Sequence, residues 1–123
     1  MFNQSLVQDI LKQILEATNR ILNRFEHISS VEDFTNTPEG MEKLDSICMP
    51  IIAIGESLKQ IDKIAGDNFL SGYSQIDWKG AKGMRDIISH HYFDIDAEEI
   101  FWVCKHQIKP LSDTIKEIIK DLD

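Results

Sequence analysis

The feature that most restricts this chain is an apolar rhythm with the period of an α-helix. Phe2, Leu6, Val7, Ile10, Leu11, Ile14, Leu15, Ile21, Leu22 and Phe25 follow i, i+3, i+4, i+7 spacing. That spacing predicts one amphipathic helix from Asn3 to about Ile28, with Gln8, Asp9, Lys12, Gln13 and Glu16 on its polar face. Ser30-Val31-Glu32-Asp33 reads as a cap and a short helical turn. A second long helix is predicted from Thr37, its N-cap, with Pro38 at the first helical position, to the stop at Gly66-Asp67-Asn68. Its buried stripe is Leu44, Ile47, Cys48, Ile51, Ile54, Leu58 and Ile61. Pro50 falls inside this stripe and cannot donate to the Ser46 carbonyl. The apolar register carries on across it, so a kink is expected rather than a split.

The connection over 67–76 is polar and holds Gly72. A third helix is expected to start near Asp77-Trp78 and run to Ser89 or His90. Asp94-Ile95-Asp96 breaks the chain, and Asp96 caps a fourth helix with Glu98 and Glu99 in its first turn. Ile100, Val103, Cys104 and Ile108 form its apolar face. Pro110 is expected to separate it from a final helix carrying Leu111, Ile115, Ile118, Ile119 and Leu122. No alternating strand pattern, internal repeat or low-complexity tract is visible. The expected architecture is all-α: an up-and-down bundle of about five helices in one domain spanning residues 1–123.

A chain of 123 residues can bury a core without disulfide or metal staples. Hydrophobic residues make up 42% and charged residues 28%, which argues against disorder. No apolar run approaches the roughly 18 residues that a membrane span needs, so no membrane is expected as a partner. Met1-Phe2-Asn3-Gln4 lacks a basic segment followed by an apolar one, and no signal peptide is expected. Cys48 and Cys104 each sit in an apolar periodic stretch and read as reduced core residues of a cytoplasmic protein.

Thirteen basic against 21 acidic residues give a net charge of −8, which disfavours a broad basic surface for nucleic acid. The window from Trp78 to Tyr92 runs against that trend. It holds Lys79, Lys82 and Arg85 against Asp86 alone, for +2, and leaves −10 in the rest of the chain. Such a spot suits a confined phosphate site better than a long groove.

Within it, Arg85, His90 and Tyr92 form R-x4-H-x-Y. A planar cation for phosphate, a group titrating near neutrality and a phenol are the parts of a metal-free phosphodiester cleavage site. On a straight helix Arg85 and Tyr92 lie within about 20° of each other, whereas Arg85 and His90 diverge by about 140°. His90 joins Arg85 if the helix unwinds around Ser89-His90, or if a twofold axis brings the groups together from two chains. The plain alternative is a surface arginine near a capping imidazole.

The segment Arg85-Asp86-Ile87-Ile88-Ser89-His90-His91-Tyr92-Phe93 resembles the core motif of HEPN domains, in particular the HepT-like toxin branch. The flanks agree: Trp78 opens the motif helix, Gly83-Met84 precede the arginine, Phe93-Asp94-Ile95-Asp96 follow the tyrosine, and Trp102 lies in the next helix. Upstream, Ile54-Gly55-Glu56-Ser57 is similar to the family's I-G-E-A segment. The resemblance covers nearly the whole chain. It implies a helical bundle that homodimerises with both motifs at one cleft, and a ribonuclease toxin of a toxin–antitoxin pair. The implied partner is a small nucleotidyltransferase of the MNT type, which neutralises the toxin by transferring AMP to the motif tyrosine, Tyr92 here.

The chemistry agrees with that implication. Metal-free RNA cleavage needs a base for the 2′-OH, an acid for the 5′-oxygen and a cation for the developing phosphorane charge. One chain offers one motif histidine; a twofold dimer offers two His90 and two Arg85. The expected catalytic residues are Arg85, His90 and Tyr92, with Lys82 and Arg85 on the RNA phosphate and Tyr92 as the AMP acceptor. No cofactor is expected.

Other motifs carry less. Gly80-Ala81-Lys82-Gly83 lacks P-loop spacing, and its glycines are expected to allow close helix packing. His27 and His106 have no metal-ligand spacing around them and read as surface residues. Asp86 is a candidate partner of Arg85 or a neighbouring lysine, and His91 a bystander or helper. Two rival readings are a non-catalytic nucleotide-binding or accessory subunit of a nucleotidyltransferase, and a plain structural bundle. The intact Arg85, His90 and Tyr92 favour the nuclease.

Overall fold

The computed structural model describes residues 2–91 and 93–123, and the fold over them is all-helical. Seven helices occur among the described residues: α1 Gln4–Phe25, α2 Glu32–Thr35, α3 Pro38–Ala65, α4 Asn68–Ser71, α5 Trp78–His90, α6 Ala97–His106 and α7 Ile108–Leu122. Five are long, and α2 and α4 are single turns. None among the described residues is long and apolar enough to cross a membrane.

Most starts and stops are fixed by local chemistry. Asn3 Oδ1 accepts from the Leu6 amide at 3.1 Å and opens α1. Thr37 caps α3 through the Gly40 amide at 3.0 Å, with Pro38 following it. Gly66 ends α3 with φ 93°, a backbone region that favours glycine. Asp77 Oδ1 accepts from the Gly80 amide at 3.0 Å and starts α5. Asp96 Oδ1 accepts from both Glu98 and Glu99 amides, at 3.0 and 3.2 Å, and starts α6.

The central helix is α3, which packs against α1 on one side and α5 on the other, while α7 closes the bundle against α1. Val7, Leu11, Ile14 and Ile21 of α1, Ile47, Leu58 and Ile61 of α3, and Ile115 and Ile118 of α7 are fully buried at their junction. Each contributes roughly 1.5–3 kcal/mol by leaving water.

One unbroken helix spans Pro50, as the continuous apolar register predicts. The carbonyl that Pro50 leaves without an intrahelical donor, that of Ser46, accepts from the Arg24 guanidinium of α1 at 2.5 Å. The missing hydrogen bond is thus supplied from the neighbouring helix.

Three expectations need correction. The break between α6 and α7 falls at Gln107, and Pro110 lies inside the first turn of α7. Amides of a first turn have no intrahelical acceptor, so a proline there opens a helix rather than separating two. The polar connection over 67–76 contains α4, too short to show a period. It is held by buried Leu70 and by Phe69 packed edge-on against Phe2 at 5.3 Å. Gly80 and Gly83 do not mediate close packing: a Cβ at Gly83 meets nothing within 4 Å, and one at Gly80 meets its own capping residue, Asp77.

Candidate active site

The motif helix α5 is seated on α3 by Trp78, Met84 and Ile88, all buried. The Trp78 indole donates to the Tyr73 carbonyl at 2.9 Å, which fixes the helix start. The two helices come close at Gly55. A Cβ there would lie 3.0 Å from Arg85 Cβ and 3.2 Å from the Lys82 carbonyl oxygen. The glycine of the Ile54-Gly55-Glu56 segment therefore sets how near α5 comes to α3.

That approach brings an ionic seam together. Arg85 Nε lies 2.5 Å from Glu56 Oε1 of α3, and Arg85 Nη1 donates to Asp86 Oδ1 at 3.0 Å. Asp86 Oδ2 also faces Lys59 Nζ at 3.7 Å. Further toward the start of α5, Lys82 pairs closely with Asp62. Three cations, Lys59, Lys82 and Arg85, meet three carboxylates, Glu56, Asp62 and Asp86, and the cluster is formally neutral. Two acids from α3, Glu56 and Asp62, pair with Arg85 and Lys82 of the motif window, while Lys59 of the same helix adds a positive charge and Lys79 stays outside the seam. The electropositive spot that the linear sequence displays is thus partly offset in the fold.

The electrostatics follow the contacts. The hydrogen bond to Asp86 is the largest influence raising the Arg85 pKa above its ordinary value, followed by the charge of Glu56. Asp86 is held below the usual carboxylate range, first by the Arg85 hydrogen bond and then by the charge of Lys59; His90 adds to the same effect. The contact between Arg85 Nε and Glu56 is ionic rather than a directed hydrogen bond, since no hydrogen-bond geometry is met at this buried nitrogen.

The helix does not unwind at Ser89-His90. It continues through His90, with His91 as its C-cap. Arg85 and His90 accordingly diverge by about 140° within one chain. His90 is exposed and follows Asp86 by one turn, so Asp86 is the residue linked to both. His91 is exposed and borders a shallow cavity of about 220 Å³, whose rim carries Asp94, Asp96 and Glu99. Tyr92 lies outside the described residues. A larger apolar cavity of about 280 Å³, lined by Ile51, Ile54, Met84, Val103, Ile108 and Leu111, contains neither Arg85 nor His90. His27 and His106 are exposed, and His106 packs at a tilt against Trp102, with ring centroids 5.3 Å apart.

Sequence reasoning missed Glu56, Lys59 and Asp62. A signal was present: they recur every three residues beside the buried stripe of α3, as Lys82 and Arg85 do on α5. Ionic residues flanking apolar ones at matching intervals on two helices are what an interhelical seam requires.

The fold is a helical bundle with R-x4-H toward the exposed end of α5 and the arginine held between carboxylates. The family described as Ribonuclease HepT-like matches residues 14–118. The chain belongs to this HepT-like ribonuclease family, and the resemblance to HEPN domains holds. Among its relatives is "Putative RNase MJ0127" of Methanocaldococcus jannaschii, 31% identical over 104 residues, covering 80% of this chain and 83% of the relative. "Putative RNase MJ1216" of the same organism is 29% identical over 117 residues, covering 95% and 90%. "Putative RNase TTE0752" of Caldanaerobacter subterraneus subsp. tengcongensis is 29% identical over 110 residues, covering 89% and 91%. No solved structure matches the chain.

Proposed function

We propose that this protein is a ribonuclease toxin of a toxin–antitoxin pair, cleaving RNA without a metal ion at a cleft built by two copies of the chain. The observation that carries the reading is the end of α5, where Arg85, Asp86 and His90 succeed one another within two turns in a HepT-like chain. In this reading His90 of one protomer takes the 2′-OH proton and His90 of the other protonates the 5′-oxygen. Arg85 supplies positive charge to the phosphorane, and Tyr92 bonds a phosphate oxygen or orients His90. Products carry a 2′,3′-cyclic phosphate and a 5′-OH. Lys82 contributes to phosphate binding to the extent that RNA competes with Asp62 for its ammonium.

Control falls to a nucleotidyltransferase of the MNT type that transfers AMP to Tyr92. The added phosphate and adenosine would occupy the cleft in place of RNA. The rival reading, a non-catalytic nucleotide-binding or accessory subunit of a nucleotidyltransferase, is favoured by one observation: the charge of Arg85 and Lys82 is already compensated.

The test is RNA cleavage by the purified chain in EDTA, alongside His90→Ala and Arg85→Ala. The proposal expects metal-independent cleavage, lost in both variants while dimer and helicity persist. Losing one such charge donor commonly costs about 3–4 kcal/mol. Mass spectrometry after coexpression with the nucleotidyltransferase expects AMP on Tyr92 and none on Tyr92→Phe. Activity abolished by EDTA and restored by one divalent ion, or neutralised protein with unmodified Tyr92, contradicts the corresponding part.

A further inference from the structure

An arginine side chain has four rotatable bonds, and on an exposed helix face it samples many directions. Arg85 is restrained on two sides. Asp86 on its own helix takes Nη1, and Glu56 on α3 lies against Nε. Neither contact uses Nη2. Glu56 is itself half exposed, yet its backbone position is dictated by the adjoining Gly55, where α3 and α5 touch. The Lys82–Asp62 pair clamps the same seam from the other end.

We infer that Glu56 is the positioning residue for Arg85: from α3 it holds the Nε edge of the guanidinium so that the Nη2 end is presented to a phosphate. The role of that phosphate rests on the ribonuclease reading above, whereas the grip of Glu56 on Arg85 does not. Glu56 also sets a compromise. Its negative charge opposes the approach of RNA, while its grip removes the rotational freedom that Arg85 would otherwise lose on meeting the transition state. Removing the charge therefore affects binding and turnover differently. Binding of RNA holds or tightens, and turnover falls because Arg85 no longer points one way.

The chain has only three arginines, Arg20, Arg24 and Arg85, so their Nε–H signals are separable by ¹H–¹⁵N NMR, with Arg85→Ala assigning the third. In the wild type the Arg85 Nε–H signal should be shifted by the adjoining Glu56 carboxylate. In Glu56→Gln it should move toward the position of a free arginine, with helicity and melting temperature nearly unchanged. In cleavage assays kcat should fall about 10- to 100-fold in Glu56→Gln with KM unchanged or lower, and Glu56→Asp should recover part of the loss. An unmoved Arg85 signal overturns the inference, as does a wild-type kcat in Glu56→Gln. If the wild type cleaves no RNA, the ribonuclease reading fails separately. The NMR arm then still decides whether Glu56 holds Arg85.

Discussion

Asp86 shares its carboxylate between Arg85, Lys59 and the field of His90. Its folded pKa is lowered, so its stabilising effect is present above the ordinary carboxylate range and disappears as pH falls through the lowered value. Thermal melts of wild type and Asp86→Asn from pH 7 down to pH 2 should differ near neutrality and converge at the acid end; a gap that persists there contradicts the assignment. The two thiols behave in the opposite sense. Burial pushes Cys48 up to about 11 and Cys104 up to about 12, so they stay protonated and closed to reagents near neutrality. An aromatic disulfide reagent at pH 8 should label neither in the native protein and both after denaturation; rapid native labelling contradicts their burial. Their reduced core character was legible in the sequence because each sits on an apolar stripe. Glu56 and Asp62 were not read, because their three-residue recurrence marks a flank of α3 without saying which helix it faces.

The long helices were legible because their apolar stripes repeat many times and two caps are chemically explicit: Thr37 and Asp96 cap as expected, and Asn3 and Asp77, expected at helix starts, cap them as well. A single turn such as α4 has no period to read, and Pro110 misled because a proline marks either side of a helix boundary equally well. Pro50 is the informative element. Its missing amide leaves Ser46 without an intrahelical donor, and Arg24 replaces that donor from α1. Arg24→Ala should destabilise the protein by about 1.5–3 kcal/mol, the range for a hydrogen bond from a charged group. In a Pro50→Ala background the restored amide can serve the Ser46 carbonyl, so the same substitution should cost less. Denaturant unfolding of the four proteins measures the coupling, and strict additivity would show that Arg24 and Pro50 act independently.

The whole molecule places Arg85 and His90 toward the exposed end of α5, and on the proposed ribonuclease reading that motif is incomplete within a single chain. The continuous helix directs Arg85 and His90 apart, and one His90 cannot act as acid and base at once. The proposed mechanism therefore requires two chains that share one cleft to which each contributes a His90. The direct test is a mixed dimer of one wild-type and one His90→Ala protomer, purified by two different tags, with RNA cleavage measured against both homodimers. A shared cleft predicts activity near that of the His90→Ala homodimer. Half of the wild-type activity, one working site per intact protomer, would contradict it.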